Sequence, residues 1–241
     1  MARQIRHPKV EDDPWNTVCH LEIEYANRAS SGTGFLVGPR TVITAAHCVL
    51  DPKLGRAMNV TVRPARDDSI IPFGLCNTGS VDFPGEWQDA LRLGQEPAEH
   101  DYGAIFLPEE YDRIGSCLKW KVFTDNELQR IVQNSEQANV IGYPIDRNPV
   151  METDAGHLVI DSGHPLNERL LHYRIDTSEG QSGGPIIHYD LSTRTSTVYG
   201  IHSRALGDGV KVARRINPNL AGIIQLWVDN PHPRLAGALI A

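Results

Sequence analysis

Short runs of apolar and β-branched residues alternate with turn residues along most of this chain. Runs rich in Val, Ile, Thr and Leu fall at residues 17–23, 34–37, 41–44, 60–64, 102–107, 138–142, 158–160, 170–175, 185–188 and 198–202. Glycine, proline, asparagine, aspartate and serine separate them. Many short strands at this spacing predict an all-β barrel or sandwich. Two short helical segments are expected to interrupt them, near residues 108–113 and 125–132. A third helix has clearer signals. Asn217 suits an N-cap, Pro218 suits the first helical position, and Leu220, Ile223, Ile224 and Trp227 then share one face. Residues 1–14 read as a loose polar arm, and the proline-containing tail after Asn230 is expected along the surface.

Composition narrows the function. The chain of 241 residues is long enough for a sizeable core. Its net charge of −7 argues against a general nucleic-acid binder, which would be basic. No apolar run reaches membrane-spanning length, so no membrane partner is expected. The first residues carry charge but no following apolar stretch, so no signal peptide is visible. That leaves an intracellular protein or the mature form of a secreted one. Cys19, Cys48, Cys76 and Cys117 show no close C-x-x-C spacing and read as free, buried thiols. The histidines form no H-E-x-x-H cluster, so neither a metal site nor a cofactor is expected.

The chemistry lies in three segments. They are Thr44-Ala45-Ala46-His47-Cys48, then His100-Asp101-Tyr102-Gly103-Ala104-Ile105, then Gly180-Gln181-Ser182-Gly183-Gly184-Pro185. A serine hydroxyl is a poor nucleophile unless a base lies within hydrogen-bond reach, and His47 can be that base. A buried carboxylate from Asp101 would fix the tautomer of His47 and stabilise it as a cation. The oxyanion formed on attack needs preorganised donors, which the backbone N–H groups of Gly180 and Ser182 would supply. The order His47, Asp101, Ser182 is that of chymotrypsin-like folds. With two of these residues in the first half and one in the second, two β-barrels flanking the site would bring them together. The expected boundaries are an arm at 1–14, a barrel at 15–120, a barrel at 121–216, and the helix and tail at 217–241.

The chain resembles the chymotrypsin-like serine proteases, and within them the bacterial glutamyl endopeptidases, from about Trp15 to Trp227. The resemblance rests on Gly34-Phe35-Leu36-Val37-Gly38-Pro39 leading to His47, on Asp101-Tyr102-Gly103-Ala104-Ile105, and on Asp176-Thr177 with Gly180-Gln181-Ser182-Gly183. Gly200-Ile201-His202 and Gly142-Tyr143-Pro144 with Asp146 add to it. It implies two six-stranded antiparallel barrels, a C-terminal helix, and endoproteolysis of protein or peptide substrates through an acyl-enzyme. It also implies cleavage after glutamate, with Thr177, His202 and Ser203 at the substrate. Donors of this kind hold a carboxylate without burying a permanent charge. Gly32 stands where some members have a cysteine able to pair with Cys48, and Ile145 and Glu179 where some have a second bridge. Gln181 replaces the aspartate through which trypsins are activated by a new N-terminus, and no Ile-Val-Gly-Gly start is present.

Alternatives stay open. Asp176, six residues before Ser182, would fit a trypsin-like pocket for Arg or Lys. An α/β-hydrolase would use Asp208 and His232, but Gly183-Gly184-Pro185 opposes the helix that such a nucleophile needs. A silent protease homologue would only bind peptides. An unprocessed intracellular enzyme would need restraint, by narrow specificity or by a regulatory protein partner. Arg194, Arg204, Lys211, Arg214 and Arg215, opposed mainly by Asp208, are expected either to form a basic patch that attracts acidic substrates or to lie in a solvated loop of mixed charge.

Overall fold

A computed structural model describes residues 5–6, 9–146, 149–190, 195–207 and 209–232. Arg194 and Asp208, both expected near the pocket, lie outside the described residues, as does the tail from residue 233.

The first sheet is built from β1 (Val18–Glu24), β2 (Ala29–Gly38), β3 (Thr41–Thr44), β4 (Asn59–Pro64), β5 (Cys76–Thr78), β6 (Val81–Asp82) and β7 (Gly103–Phe106). Its strand order is β5-β4-β1-β2-β3-β7-β6, a nearly closed barrel. The second sheet contains β8 (Ala138–Gly142), β9 (Glu152–Leu158), β10 (Leu170–Arg174), β11 (Pro185–Asp190), β12 (Thr195–Ala205) and β13 (Lys211–Arg215). Its order β9-β8-β11-β12-β13-β10 returns to β9 through the pairing of His157 with Arg174 and Leu158 with Tyr173, closing a six-stranded ring. These are the two β-barrels expected of a chymotrypsin-like fold.

The arm is not wholly loose. Ile5–Arg6 adds an antiparallel edge to β9 opposite Thr153 and Glu152, and Val10 is buried. An unpaired strand edge offers free backbone groups, and these two residues satisfy some of them.

Each barrel has its own core. Leu21, Ile23, Leu36, Val42, Val60, Val62 and Ile105 fill the first. Val140, Leu171, Tyr173, Ile186, Tyr199 and Ala213 fill the second. A third cluster lies between them, with Phe35, Ile43 and Phe106 from one sheet against Ile141, Ile187 and Ile201 from the other.

The helices follow local signals. α1 (Ala46–Val49) is a single turn after β3, and α2 (Gly85–Arg92) buries only Trp87. α3 (Asp125–Gln133) starts with a capping box: Thr124 Oγ1 accepts from Glu127 N–H at 3.2 Å, and Glu127 accepts from Thr124 N–H at 2.8 Å. The other expected short helix, at 108–113, is only a 3-10 turn at Asp112–Ile114. α4 (Pro218–Asp229) lays Leu220, Ile224 and Trp227 on the inter-barrel cluster. It is fixed to the first sheet by Trp227 Nε1–H donating to Asp82 Oδ2 at 2.8 Å.

The β13 arginines correct one expectation. Arg214 and Arg215 are buried rather than part of a surface patch. Arg214 donates to the carbonyl of Arg169 at 2.9 Å and lies over the Tyr102 ring. Arg215 donates to Asp125 Oδ1 at 2.8 Å and to the Phe123 carbonyl at 2.7 Å. A buried guanidinium must find acceptors for its fork of donors. Here loop carbonyls and the Asp125 carboxylate serve the terminal nitrogens, while the Nε of each arginine has no partner among the described residues.

Asn217 Oδ1 accepts from Leu220 N–H at 3.0 Å and caps α4. Asn217→Ala should cost about 1 kcal/mol, lowering the melting temperature by roughly 2–4 °C for a chain of this size. Calorimetry of the two proteins checks this.

Candidate active site

His47 stands on α1, directly after β3, and Asp101 precedes β7, which pairs with β3. The pairing of Gly103 with Thr44 sets the two residues side by side. His47 Nδ1 lies 2.8 Å from Asp101 Oδ2 and 3.1 Å from Oδ1, and the His47 backbone N–H donates to Oδ1 at 3.0 Å. The Ser203 hydroxyl donates to Asp101 Oδ2 at 2.5 Å. Four contacts thus surround a carboxylate that is wholly buried.

These contacts set the protonation states. Burial alone would raise the Asp101 carboxyl, but the His47 charge and the hydrogen bonds from His47 and Ser203 outweigh it and hold the pKa at about 2. Burial alone would lower His47, yet the Asp101 carboxylate pushes it well above its ordinary value. The ring can therefore accept a proton and keep it, as a general base must.

Ser182 belongs to the turn between β10 and β11. Two glycines make that turn possible. Gly180 has φ +92°, and a Cβ there would sit 2.4 Å from the Tyr143 carbonyl oxygen. Gly183 has φ +84°, and a Cβ there would sit 2.2 Å from Thr44 Oγ1. No other residue type fits either place. Among the described residues, the Gly180 and Ser182 N–H groups donate to no protein acceptor, whereas Gln181 N–H donates to the Ser178 carbonyl at 3.3 Å. Gln181 is buried, and its Oε1 accepts from Ser178 N–H at 2.8 Å. It braces the turn from inside, at the position where trypsins carry an acid.

The turn is tied to the first barrel through Thr33 of β2. Thr33 N–H donates to the Ser182 carbonyl at 2.9 Å. Its hydroxyl donates to the Gly180 carbonyl at 2.8 Å and accepts from Tyr143 N–H at 2.9 Å. Sequence reasoning missed Thr33, because one threonine in a β-run carries no distinguishing mark.

Ser182 and His47 line one cavity of about 410 Å³, together with Thr177, His202, Ser203 and Arg204. The Ser182 hydroxyl donates to the Ser203 carbonyl at 3.3 Å, and no hydrogen bond joins it to His47. Hydrogen bonds between a nucleophile and its base commonly tighten only when substrate is present. The Ser203 carbonyl is available because β12 bulges between His202 and Arg204, opposite Ala213 and Val212. Ser203, expected at the substrate, thus places its backbone at the cavity and its side chain on Asp101.

His202 lines the cavity yet is only 3% exposed. Burial, then the charges of His47 and Lys211, lower its pKa to about 3 against the opposing pull of Asp101, so the ring is neutral. Asp176 is exposed and does not line the cavity. Arg204 lies against Glu96, with Nη1 3.4 Å from Oε2, so it is not a free cation. All four cysteines are unpaired; Cys19 and Cys48 are buried as expected, but Cys76 and Cys117 are only half-buried. Cys48 Sγ sits where a Gly32 side chain would press on it at 3.1 Å. Among the described residues, no group of three or more His, Cys, Asp or Glu side chains is placed to hold a metal ion. No helix of the described residues is long and apolar enough to cross a membrane.

Two outcomes are expected. Thr33→Val keeps the shape but leaves the Gly180 carbonyl and Tyr143 N–H without their partner. It should destabilise by about 1–3 kcal/mol and lower turnover by roughly 10–100-fold, since a small misplacement of the reacting group is costly. Denaturant unfolding and steady-state kinetics check both. The pH profile of kcat/KM should fall as pH drops through a value above about 6.5, the ordinary imidazole value, because protonation of His47 removes the base. A limb at or below that value would contradict the role of Asp101.

Comparison with known proteins places this geometry. Residues 32–193 match the trypsin-like peptidase domain. Over 220 residues the chain is 28% identical to the extracellular metalloprotease of Bacillus subtilis (strain 168), covering 90% of this chain and 64% of that protein. It is 26% identical over 220 residues to the glutamyl endopeptidase of Bacillus licheniformis, covering 86% of this chain and 62% of that protein. The chain therefore spans less than two thirds of these curated relatives. Among solved structures, a Glu endopeptidase in complex with MPD superposes with a TM-score of 0.77 at 18% identity, covering 95% of this chain and 98% of that one. The protease Anisep from Arthrobacter nicotinovorans superposes with a TM-score of 0.70 at 13% identity, covering 89% and 96%. At those identities the two structures establish the fold. With the family match spanning most of its length, the chain belongs to the family of trypsin-like peptidase domains.

Proposed function

We propose that this chain is a serine endopeptidase that cleaves on the C-terminal side of glutamate, with aspartate weaker and Arg or Lys negligible. One observation carries the specificity: the cavity beside Ser182 is lined by the neutral donors His202 and Thr177, while Asp176 lies outside it. A lysine or arginine side chain reaching His202 and Thr177 would not find Asp176 there, the carboxylates of the cavity wall being Asp51, Glu179 and Glu96, the last paired with Arg204. A glutamate side chain would find two hydrogen-bond donors. The relative named glutamyl endopeptidase supports the same reading.

The steps follow from the geometry. Ser182 Oγ attacks the scissile carbonyl while its proton passes to His47 Nε2. The N–H groups of Gly180 and Ser182 take the developing oxyanion. His47 then protonates the leaving amine, and the acyl-enzyme forms on Ser182. A water, deprotonated by His47, hydrolyses that ester and restores the serine. Asp101 stays ionised throughout and holds the His47 tautomer.

Ser182→Ala should lose on the order of 10⁶ in turnover, because the triad acts as a unit. Reaction with a fluorophosphonate probe should also disappear. A wild-type protein that never reacts with the probe would be a silent binding homologue instead. In a peptide-library digest, Glu should dominate before the cut. His202→Ala should lower kcat/KM for such peptides by roughly 10–100-fold, the loss of a hydrogen bond to a charged group. A profile led by Arg or Lys would reinstate Asp176, and one led by large apolar residues would make His202 a packed core residue.

A further inference from the structure

Behind His202 the second barrel contains a feature that the reaction does not use. Tyr173, on β10, is wholly buried, and its hydroxyl meets His202 Nδ1 in a short hydrogen bond. The two rings stand edge to face with centroids 6.1 Å apart. A neutral imidazole carries one N–H and one acceptor nitrogen, and its partners decide which is which.

The direction of this bond can be worked out. Burial raises the Tyr173 pKa well above its ordinary value, so the hydroxyl keeps its proton. No other acceptor for that proton is present among the described residues, and His202 Nδ1 lies directly on the oxygen. The hydroxyl therefore donates and Nδ1 accepts, so the ring proton resides on Nε2. Among the described residues, Nε2 has no protein partner, and His202 lines the cavity. The reverse tautomer would leave a hydroxyl proton unpaired inside the barrel, which is costly.

We propose that Tyr173 is a positioning residue for substrate recognition: its hydroxyl locks His202 in the Nε2–H tautomer and aims that single donor at the substrate carboxylate. This rests on the glutamate reading above. In effect, a tyrosine orients a neutral donor for an anion, much as a carboxylate orients the base in the triad. Tyr173 touches no substrate, so its effect passes wholly through His202.

The test combines spectroscopy and kinetics on the full chain. Long-range ¹H–¹⁵N spectra of ¹⁵N-histidine-labelled protein, with His202 assigned from the His202→Gln variant, read the tautomer without any substrate. Wild type should show Nε2–H alone, and Tyr173→Phe a mixture of both tautomers. The same variant should lower kcat/KM for Glu peptides by about ten-fold, the loss of one buried hydrogen bond and its alignment. Its inactivation rate with a small fluorophosphonate, which does not fill the carboxylate pocket, should stay within two-fold of wild type. Nδ1–H in the wild type would overturn the proposal. So would a Tyr173→Phe protein that keeps one tautomer, or one that loses it with Glu cleavage unchanged. If wild type shows the Nε2–H form but does not cleave after Glu, the glutamate reading fails while the tautomer assignment stands.

Discussion

Ser182 and its base stand on different barrels, so the site exists only if the turn carrying Ser182 is held to the first sheet. Thr33 does most of that holding. One buried residue of β2 grips the turn by backbone and side chain together: its N–H binds the Ser182 carbonyl and its hydroxyl binds the Gly180 carbonyl. The same hydroxyl receives the Tyr143 N–H from the second barrel. Thr44 in turn donates to the Thr33 carbonyl at 2.7 Å, so the strand leading to His47 joins the same network. The glycines at 180 and 183 are the counterpart of this grip. Their lack of a side chain lets the two backbones approach as closely as the hydrogen bonds require.

Charge is handled differently at the two ends of the site. At the catalytic end a permanent anion, Asp101, is buried with three donors on its two oxygens, and a buried charge is tolerated only when it is hydrogen-bonded in this way. At the pocket end the protein buries no charge. His202 is kept neutral by its surroundings, and of Lys53 and Arg204 on the cavity wall, the second is paired with Glu96. On the glutamate reading, a substrate carboxylate is met by the neutral donors His202 and Thr177. This favours a fixed geometry over raw attraction, because a neutral donor binds only what is placed correctly before it.

The three segments around His47, Asp101 and Ser182 were legible because short motifs with obligatory residue types mark them. The turn glycines were legible for the same reason, and α4 was legible from Asn217, Pro218 and the spacing of its apolar face. The elements that escaped were those whose sequence contradicts their burial. β13 reads Lys-Val-Ala-Arg-Arg, yet its arginines are buried, with loop carbonyls and the Asp125 carboxylate offsetting the burial of their charge. β9 begins with Glu152 and ends at Leu158, so its two buried acids hid a strand expected only from residue 158. α2 opens on a glycine after a proline and buries one tryptophan, too little periodicity to announce a helix. The supporting residues Thr33 and Tyr173 act through hydrogen bonds to partners 29 or more positions away in sequence. No local pattern encodes contacts of that kind.

The account depends on a glutamate side chain being read by neutral donors next to a reactive Ser182. A crystal structure of the protein inactivated with a peptidyl phosphonate bearing a glutamate side chain at the reacting position tests this most directly. The account predicts phosphorus bonded to Ser182 Oγ and a phosphoryl oxygen on the N–H groups of Gly180 and Ser182. The carboxylate should lie within hydrogen-bond distance of His202 Nε2 and Thr177 Oγ1. A carboxylate turned out to solvent, or held by another residue while His202 stays packed in the core, would contradict it.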